Sequence, residues 1–431
     1  MIKYIDLFAG VGGIRLGLEV ALSELGLTGE CVFSSEIDTK AQYTYEANFG
    51  DKPFGDIRQA ESLPKHDILL AGFPCQPFSY AGKQRGFGDT RGTLFFEIER
   101  LIESSKPEMF LLENVRGLTT HDGGRTLETI YSKLKDLGYG VSHVVLNSAL
   151  HGVPQNRMRI YIVGIRSHKP IISIPEDLKF VDTHAFTQTQ PTLFDENTKQ
   201  SLMVRDILES NPDERFRCSP EFTGMLRKYV KGDFTKLHGV RLIDARNGNS
   251  IHSWELGLRG KCSKSEIHLM NAIIANRRRH IFGTQQDGKA LTIHQVRTFF
   301  DTPELKDLIH GLVEKGYLRR IDGKYSPTIG NMSFEVFKFL NPNSISITLV
   351  SSDANRLGVV DDLGPRRITV REAARLQGFP DSFKVHPIDN AAYHQFGNSV
   401  SVPVITKVLS NVFSNNKGQL KFLRTLKSVA S

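Results

Sequence analysis

The sequence is poor in cysteine and has no long apolar run. Its 431 residues hold four cysteines, with no Cys-x-x-Cys pair and no Cys/His cluster at zinc spacing. This scarcity disfavours a disulfide framework and a structural zinc site, and it fits a reducing cytoplasm. No apolar stretch reaches the ~18 residues that a membrane span needs. The opening MIKYIDLFAG has the pattern of a strand and not of a signal peptide.

The composition is that of a globular chain with a basic excess. Apolar residues make up 39%, enough for a sizeable core, and the length suggests one large domain plus another. The net charge of +8 and the pI near 9.2 favour a polyanionic partner. Residues 181–360 contribute to this excess, with 25 Lys/Arg against 20 Asp/Glu.

Strand-like and helical patterns alternate from the N-terminus to Arg166, which predicts parallel α/β units. The strand candidates are KYIDLF, ECVFSSEID, HDILLAG, EMFLLEN, VSHVVLNS and RIYIVGI. The pattern breaks after Arg166 and returns near Arg367, so we expect one α/β domain interrupted by an insertion. The expected segments are 1–170 for its first part, 171–360 for the insertion, 361–415 for the return and 416–431 for a basic tail.

Two amphipathic helices and a hairpin are predicted at residues 290–328, inside the insertion. The hairpin candidate is YLRRIDGKYSPT, in which Asp322 and Gly323 favour a tight turn. This order resembles a winged-helix unit. It leaves two interpretations open, a structural scaffold or a nucleic-acid contact.

The segment DLFAGVGG joins the end of a strand to a glycine-rich turn. Gly10, Gly12 and Gly13 allow the backbone to turn tightly and to approach a ligand. Glu36 and Asp56 stand at later strand ends, where acids accept hydrogen bonds from a ribose or a base amino group. Together they predict a nucleoside-bearing cofactor. Solvated acids at strand ends are the alternative.

Cys75 lies between two prolines in LAGFPCQPFSYAG, after the strand candidate HDILLAG. A lone cysteine is more often a packed thiol. However, ligands bind at the C-terminal ends of parallel strands, and Pro74 and Pro77 restrict the backbone on both sides. Glu113 ends another strand, in FLLENVRGL. A carboxyl group beside a thiol suggests acid–base chemistry with a nucleophile.

Basic residues follow the segments that contain Cys75 and Glu113. Arg157 and Arg159 alternate in QNRMR, so both point to one side of a strand start. They could converge on a pocket or on phosphate, or form structural ion pairs. The loop after Cys75 carries Lys83 and Arg91, which favour phosphate contacts.

Eight segments, in order, resemble the motifs of the cytosine-5 DNA methyltransferase family. They are DLFAGVGG, SEID, GDI, GFPCQPFS, ENVRGL, QNRMR, TVREAARLQGFPDSF and QFGNSVSVP. The resemblance covers about residues 3–166 and 345–412. It implies an α/β fold, a Rossmann-like S-adenosylmethionine-dependent methyltransferase domain with an inserted mixed α/β target-recognition domain. The bacterial type II modification methyltransferases are the branch that it resembles.

The resemblance implies S-adenosylmethionine as the cofactor and S-adenosylhomocysteine as the product. Glu36 would hold the ribose, Ile37 would pack on the adenine, and Asp56 would meet the adenine amino group. The implied cofactor residues are Phe8, Gly10, Gly12, Gly13, Glu36, Ile37, Asp56, Ile57, Pro74, Asn398, Ser399 and Val400.

The resemblance also implies the catalytic residues. Cys75 would attack carbon 6 of a flipped-out cytosine, and Glu113 would donate a proton towards ring nitrogen 3, which requires a raised carboxyl pKa. Arg157 and Arg159 would position the base, the DNA backbone and Glu113. The loop 79–92 is the candidate for closing over the base. The expected DNA-binding residues are Gln76, Ser79, Lys83, Arg91, Asn114, Arg277, Arg278, Arg279 and Thr348.

The expected partner is double-stranded DNA, bound by a monomeric, cytoplasmic, nucleoid-associated enzyme that uses no metal. Pairing with an endonuclease of the same target is expected, although solitary enzymes share these motifs. Three alternatives stay open. One is the RNA-directed branch acting on transfer RNA, whose Cys-Phe-Thr signature is interrupted here as CSPEFT. The others are a winged-helix DNA-binding regulator and a dehydrogenase.

Overall fold

The chain forms two compact units. The computed structural model describes residues 1–73, 93–175, 202–245, 248–283, 289–328 and 334–424. The first unit comprises Met1–Leu208, Ile345–Ala354 and Val370–Ser431, and the inserted unit comprises Glu209–Ser344 and Asn355–Thr369. These bounds differ from the expected segments. Of the described residues, 171–175, 202–208 and 345–354 belong to the first unit, and 361–369 belong to the inserted unit.

Strands and helices alternate at the start of the first unit, and all six strand candidates of the sequence form strands. These elements are β1 (Ile2–Leu7), α1 (Gly13–Glu24), β2 (Gly29–Ser35), α2 (Thr39–Phe49), β3 (Ile68–Gly72), α3 (Thr93–Ser105), β4 (Met109–Val115), α4 (Arg125–Asp136), β5 (Tyr139–Asn147) and β6 (Met158–Arg166).

The inserted unit mixes short strands and helices. Its elements are α5 (Pro220–Tyr229), β7 (Arg241–Leu242), β8 (Ser250–Ile251), α6 (Ser253–Leu256), α7 (Lys264–Asn276), α8 (Ile293–Arg297), α9 (Leu305–Glu314), β9 (Leu318–Ile321), β10 (Lys324–Pro327), β11 (Lys338–Phe339), β12 (Leu357–Asp361) and β13 (Gly364–Arg367). The chain then returns to the first unit through α10 (Val370–Leu376), α11 (Asp389–Asn398), α12 (Val402–Asn415) and α13 (Lys421–Arg424).

A six-stranded sheet, in the order β2-β1-β3-β4-β6-β5, is the framework of the first unit. Strands β1 to β4 pair in parallel, as predicted. The prediction of parallel units was wrong for β6, which runs antiparallel to both of its neighbours. The reason is the connection from β5 to β6, which is a short loop with one 3₁₀ turn, Ser148–Leu150. A parallel pairing needs a longer crossover, usually a helix.

Helices cover both faces of this sheet. In β3, Ile68 and Leu70 pack with residues of α1 and α12, whereas Leu69 and Ala71 pack with residues of α3. A strand that is buried on both faces needs a continuous apolar run, which ILLAG supplies. Each fully buried Leu or Ile side chain stabilises the fold by about 1.5–3 kcal/mol.

The expected basic tail is partly built into the first unit. Leu420 and Phe422 are buried and belong to the apolar cluster on the α1 and α12 side of the sheet. Residues 416–424 therefore pack onto the domain through these apolar side chains and do not form a free tail. Residues 425–431 lie outside the described part of the chain.

The carboxyl ends of β1 to β4 meet at one edge of the sheet. Because β6 is antiparallel, its first residues lie at the same edge. The order also places β1 between β2 and β3, so the chain changes direction across the sheet there. Open α/β sheets bind their ligands at this edge, beside such a switch point.

Two apolar clusters lie among the described residues of the inserted unit. Its five-stranded sheet, in the order β13-β12-β11-β7-β8, shares one cluster with α5. The second cluster surrounds Trp254 and includes residues of α7, α8 and α9. Here β9 and β10 form an antiparallel hairpin that turns at Asp322 and Gly323, where the sequence predicts it. Both turn residues have positive φ, 49° and 73°, as a type I′ turn requires.

Two absences concern the described residues alone. None of their helices combines the length and the apolar character that crossing a membrane requires. In the same part of the chain, no group of three or more His, Cys, Asp or Glu side chains is placed to hold a metal ion.

Candidate active site

A cavity of about 720 Å³ lies at the carboxyl edge of the first unit's sheet. This volume falls within the ~300–1,000 Å³ of ordinary ligand pockets. The walls come from the turn after β1, the segment after β2, the end of β4, the start of β6 and the end of α11. The predicted site residues that line it are Phe8, Gly10, Gly13, Glu36, Ile37, Asp56, Ile57, Glu113, Asn114, Arg157, Arg159, Asn398, Ser399 and Val400.

Six predicted site residues lie outside the described residues, within 74–92. They are Pro74, Cys75, Gln76, Ser79, Lys83 and Arg91. The proposed closing loop, 79–92, lies there too. Phe73, the last described residue before this segment, lines the cavity. In the sequence Cys75 follows it by two positions, and its role remains a prediction.

The glycines of the first turn have different tasks. Gly10 has a φ of +54°, and a Cβ there would meet open space. Its N–H donates to Glu36 Oε2 at 2.8 Å. Gly12 is not among the lining residues, and a Cβ there would overlap the ring of Phe49. The expected cofactor contact of Gly12 stays a prediction, and the lack of a Cβ at this position allows the turn before α1 to pack against Phe49 of α2.

The Glu36 carboxylate organises the end of β2. Oε2 accepts the Gly10 N–H, and Oε1 accepts the Asp38 N–H at 2.8 Å. An ionised carboxylate has about four acceptor positions, so two remain for the hydroxyls of a ribose. The neighbouring Ile37 is 68% exposed. Its apolar surface is available to a flat ring in the cavity.

Asp56 forms a bidentate ion pair with Arg58. Arg58 Nε donates to Asp56 Oδ1 at 2.9 Å, and Nη2 donates to Oδ2 at 2.5 Å. The hydrogen bonds from Arg58 lower the pKa of Asp56, which keeps the carboxylate ionised as an acceptor. The next residue, Ile57, is buried in the apolar cluster on the α3 side of the sheet.

Glu113 is a buried carboxyl group in the wall of the cavity, 8% exposed. Arg159 Nε lies 3.2 Å from its Oε1. Burial raises the pKa of Glu113, and the charges of Arg159 and Arg157 oppose this rise. A raised pKa is the property that proton donation near neutral pH requires.

Arg157 holds separate parts of the chain together. It is 3% exposed, and its Nη1 donates to the Leu349 carbonyl at 2.8 Å. Its Nη2 donates to the carbonyls of Gly397 and Ser399. The expected contact of Arg157 with the base or the DNA backbone stays a prediction, and Arg157 lines the cavity. Its guanidinium is turned to these carbonyls and fixes residues 345–354 and the end of α11 at the start of β6.

Asn114 and Thr348, expected at the DNA, are bonded to the backbone. Asn114 is 2% exposed, and its Nδ2 donates to the Phe73 carbonyl at 3.1 Å. Thr348 Oγ1 donates to the Asn156 carbonyl at 2.5 Å. Asn114 thus connects the end of β4 to the end of β3, just before the segment that contains Cys75.

The arginine run after α7 is divided between core and surface. Arg277 is fully buried, and its Nη2 donates to the Ala245 carbonyl at 2.9 Å. The expectation that it contacts DNA is corrected, because a buried guanidinium does not reach a phosphate. The sequence carried the signal: Arg277 follows the buried Ile273 by four positions, on the same helix face. Arg278 and Arg279 are exposed.

Among the described lining residues, three with titratable side chains were not anticipated from the sequence: Asp38, Arg58 and His394. His394 lies on α11, four positions before Asn398, and the Asn398 Nδ2 is 3.4 Å from its ring nitrogens. The available signal was this spacing of one helical turn before an expected cofactor residue.

The comparison with known proteins identifies the family. The pattern of the family described as C-5 cytosine-specific DNA methylase matches residues 2–414. The Type II methyltransferase M.BanI of Aneurinibacillus aneurinilyticus is 59% identical over 419 residues, which are 97% of each chain. The Type II methyltransferase M.HgiCI of Herpetosiphon aurantiacus is 57% identical over 417 residues, which are 96% of this chain and 98% of that one.

Solved structures agree on the fold. The S. pombe Dnmt2 methyltransferase has a TM-score of 0.51 at 18% identity, covering 96% of this chain and 99% of that chain. The Entamoeba histolytica methyltransferase EhMeth has a TM-score of 0.51 at 17% identity, covering 96% and 98%. These likenesses confirm the predicted α/β fold of S-adenosylmethionine-dependent methyltransferases. Because the family pattern matches residues 2–414 and the two relatives are 57–59% identical in sequence, this chain belongs to the C-5 cytosine-specific DNA methylase family.

Proposed function

We propose that this DNA cytosine-5 methyltransferase transfers the methyl group of S-adenosylmethionine to a flipped-out cytosine, as the modification enzyme of a restriction–modification system. The relatives at 57–59% identity are named Type II methyltransferases, which favours DNA over transfer RNA as the substrate. The regulator and dehydrogenase alternatives have no support from this family. Pairing with an endonuclease, a monomeric state and a cytoplasmic location stay predictions.

One observation carries the chemical part of the proposal. A single cavity contains both the Glu36 carboxylate, beside the glycine turn, and the buried Glu113–Arg159 pair. The Glu36 carboxylate can accept hydrogen bonds from a nucleoside, and the Glu113–Arg159 pair can take part in proton transfer to a base. A cofactor and a substrate base can therefore meet in one place.

The lining residues fit S-adenosylmethionine. Glu36 retains acceptor positions for the ribose, Ile37 exposes an apolar surface, and Gly10 leaves open space. The close approach of α11 also requires a glycine, because a Cβ at Gly13 would lie 2.8 Å from Ser399 Oγ. When bound, the cofactor supplies a methyl group activated by its sulfonium charge.

The protein's own residues would prepare the base for this methyl group. The thiolate of Cys75 adds to carbon 6 of cytosine, which makes carbon 5 nucleophilic. Negative charge builds on ring nitrogen 3, and protonated Glu113 donates its proton there. After methylation, loss of the carbon 5 proton expels Cys75. The base must leave the helix stack first, at roughly a few kcal/mol.

Arg159 and Asn114 have supporting roles in this scheme. Arg159 Nε, 3.2 Å from Glu113 Oε1, fixes the carboxyl group in the cavity wall. Asn114 holds the Phe73 carbonyl and so fixes the chain two residues before the predicted nucleophile.

Bisulfite sequencing of DNA from cells that express the protein tests the proposal. We expect one shared sequence motif to be methylated with the wild type and unmethylated with Cys75→Ala. Equal methylation with Cys75→Ala would refute the nucleophile. If labelled methyl groups enter transfer RNA and DNA stays unmethylated, the substrate is RNA. The shared motif would also identify the target sequence.

A further inference from the structure

The apolar cluster around Trp254 belongs to an arrangement that resembles a winged-helix unit. Along the chain, α7, α8 and α9 are followed by the β9–β10 hairpin, and Leu291 stands between α7 and α8. Leu291 and Tyr325 exchange two backbone N–H···O hydrogen bonds of 2.8 Å, which adds a third strand position beside β10. The three helices share their cluster with Leu318 of β9. We call the hairpin, residues 318–327, the wing.

Helix α9 has an outer face that is not basic. In helix-turn-helix units the second helix of the pair lies in the major groove of DNA, and α9 has that place here. Its exposed side chains are Lys306, Asp307, His310 and Glu314. His310 Nδ1 lies 3.5 Å from Glu314 Oε1, and Glu304 precedes the helix as another exposed acid. With three acids against one lysine, this face repels phosphates.

The wing has the opposite charge. Arg319, Arg320 and Lys324 are exposed, and the one acid among them is Asp322. Asp322 lies in the turn with a φ of 49°, a conformation that Asp tolerates better than most residues. Within the described part of the chain, no carboxylate forms an ion pair with any of the three cations. The wing therefore presents uncompensated positive charge.

Two of these cations share one face of the hairpin. In the register of β9 and β10, Ile321 is opposite Lys324, and Arg319 is opposite Ser326. Side chains alternate along a strand, so Arg319, Ile321 and Lys324 are on the same face. Arg319 and Lys324 are diagonal neighbours there, at roughly 7–8 Å. Like charges this close repel each other, and a bound anion would remove the repulsion.

We infer that the wing binds the phosphates of duplex DNA irrespective of base sequence, through Arg319 and Lys324, and that α9 does not enter the major groove. The inference rests on the proposed function, because it takes duplex DNA as the partner. A two-stranded ribbon is narrow enough for a DNA groove, and phosphate contacts position a protein without carrying sequence information. The wing thus raises affinity for any duplex and leaves the choice of target to other residues.

Binding of fluorescent duplexes by the full chain at several salt concentrations tests the inference without a methylation assay. One duplex carries the target sequence that bisulfite sequencing identifies, and a second of equal length lacks it. The double variant Arg319→Gln/Lys324→Gln should reduce the slope of log K against log salt by about 1.8 for both duplexes, because each lost phosphate contact removes ~0.9. Near 0.1 M salt both affinities should fall about tenfold, by the same factor.

Two further double variants are the controls. Arg319→Lys/Lys324→Arg keeps both charges and should keep the slope of the wild type. Lys261→Gln/Lys306→Gln removes two exposed charges from α9 and from the segment before α7, and should change the slope by less than about 0.5. Thermal melting of each variant confirms that it is folded.

The outcomes separate this inference from the proposed function. An unchanged slope in Arg319→Gln/Lys324→Gln overturns it, and so does a loss restricted to the target duplex, because the wing then reads bases. An equal loss in Lys261→Gln/Lys306→Gln also overturns it, since total charge and not the wing then governs binding. In these three cases the wild type still binds DNA, and the proposed function stands. A folded wild type that binds neither duplex refutes DNA as the partner, and the inference with it.

Discussion

Arg159 and Glu113 are diagonal neighbours on two antiparallel strands. In the register of β4 and β6, Glu113 is opposite Tyr161 and Val115 is opposite Arg159. The two charged side chains are therefore on one face, two positions apart, and meet at 3.2 Å. A parallel β6 would place its start at the other edge of the sheet. The reversed strand thus delivers the arginine to the carboxyl edge, where the cavity lies.

Replacing Glu113 by glutamine should abolish most methyl transfer. Glu113→Gln keeps the shape of the side chain but removes the proton that is donated to the base. We expect the single-turnover rate on a duplex with the target sequence to fall about 10²–10⁴-fold. Calorimetry should show that S-adenosylhomocysteine affinity changes little. Glu103→Gln, at an exposed position of α3, is the matched control. A Glu113→Gln rate within a fewfold of wild type would refute proton donation by Glu113.

Removing Arg159 should shift the pH dependence of methylation. Burial raises the pKa of Glu113 and Arg159 opposes that rise, so Arg159→Met raises the pKa further. Glu113 then stays protonated to higher pH. If the protonated form is the active one, the alkaline limb of the pH–rate profile moves to higher pH, although the rate itself also falls. This is measured as the single-turnover rate against pH.

A lysine at position 159 provides the control for Arg159→Met. Arg159→Lys keeps the positive charge near Glu113, so its alkaline limb should lie closer to that of the wild type. An alkaline limb at the same pH in wild type, Arg159→Met and Arg159→Lys would show that Glu113 does not set it.

The sequence was informative where a feature is local. Short apolar runs between turns mark the strands whatever their pairing, so all six strands could be located. The acids at their ends, including Glu36 and Glu113, follow directly from those positions and do line one cavity. The turn of the β9–β10 hairpin was predictable for the same reason, because Asp322 and Gly323 determine its geometry.

The sequence did not predict features that depend on residues far away along the chain. The spacing of Arg157 and Arg159 predicts a shared side of the strand, and both line the cavity. It does not tell which group each guanidinium meets. Arg157 meets the carbonyls of Leu349 and Ser399, which are far away along the chain. The direction of β6 is likewise a property of strand pairing, which its apolar pattern does not encode.

Alanine at the two glycines of the first turn should separate ligand binding from packing. Gly12→Ala places a Cβ into the Phe49 ring, so the free energy of unfolding should fall by about 1–3 kcal/mol. Gly10→Ala adds a Cβ in open space within the cavity wall, at a φ of +54°. It should weaken S-adenosylhomocysteine binding with a smaller loss of stability, near ~1 kcal/mol.

Urea unfolding and calorimetric titration of both variants measure these two effects. The wild type gives the reference for each. Equal losses of stability with equal losses of affinity in Gly10→Ala and Gly12→Ala would contradict the division of tasks between the two glycines.

Asp6 is a buried carboxyl group in β1. It is fully buried, and within the described residues neither carboxylate oxygen has a hydrogen-bond partner. Burial raises the pKa of Asp6 well above its usual value, and the charge of Arg15 opposes the rise only in part. The folded protein therefore favours the protonated, neutral form of this side chain.

Asp6→Asn should stabilise the protein at neutral and alkaline pH. Because the pKa of Asp6 is raised in the folded state, its favourable contribution is complete below the pKa of the unfolded chain and is lost as the pH rises through the folded pKa. Each unit of that upward shift removes about 1.4 kcal/mol from the free energy of unfolding once both states are ionised. Asparagine has nearly the same shape and no such dependence. Thermal melts should therefore show a higher Tm for Asp6→Asn at pH 8 and a smaller difference near pH 4. An advantage of the variant that is the same at both pH values would mean that the charge of Asp6 is not the cause.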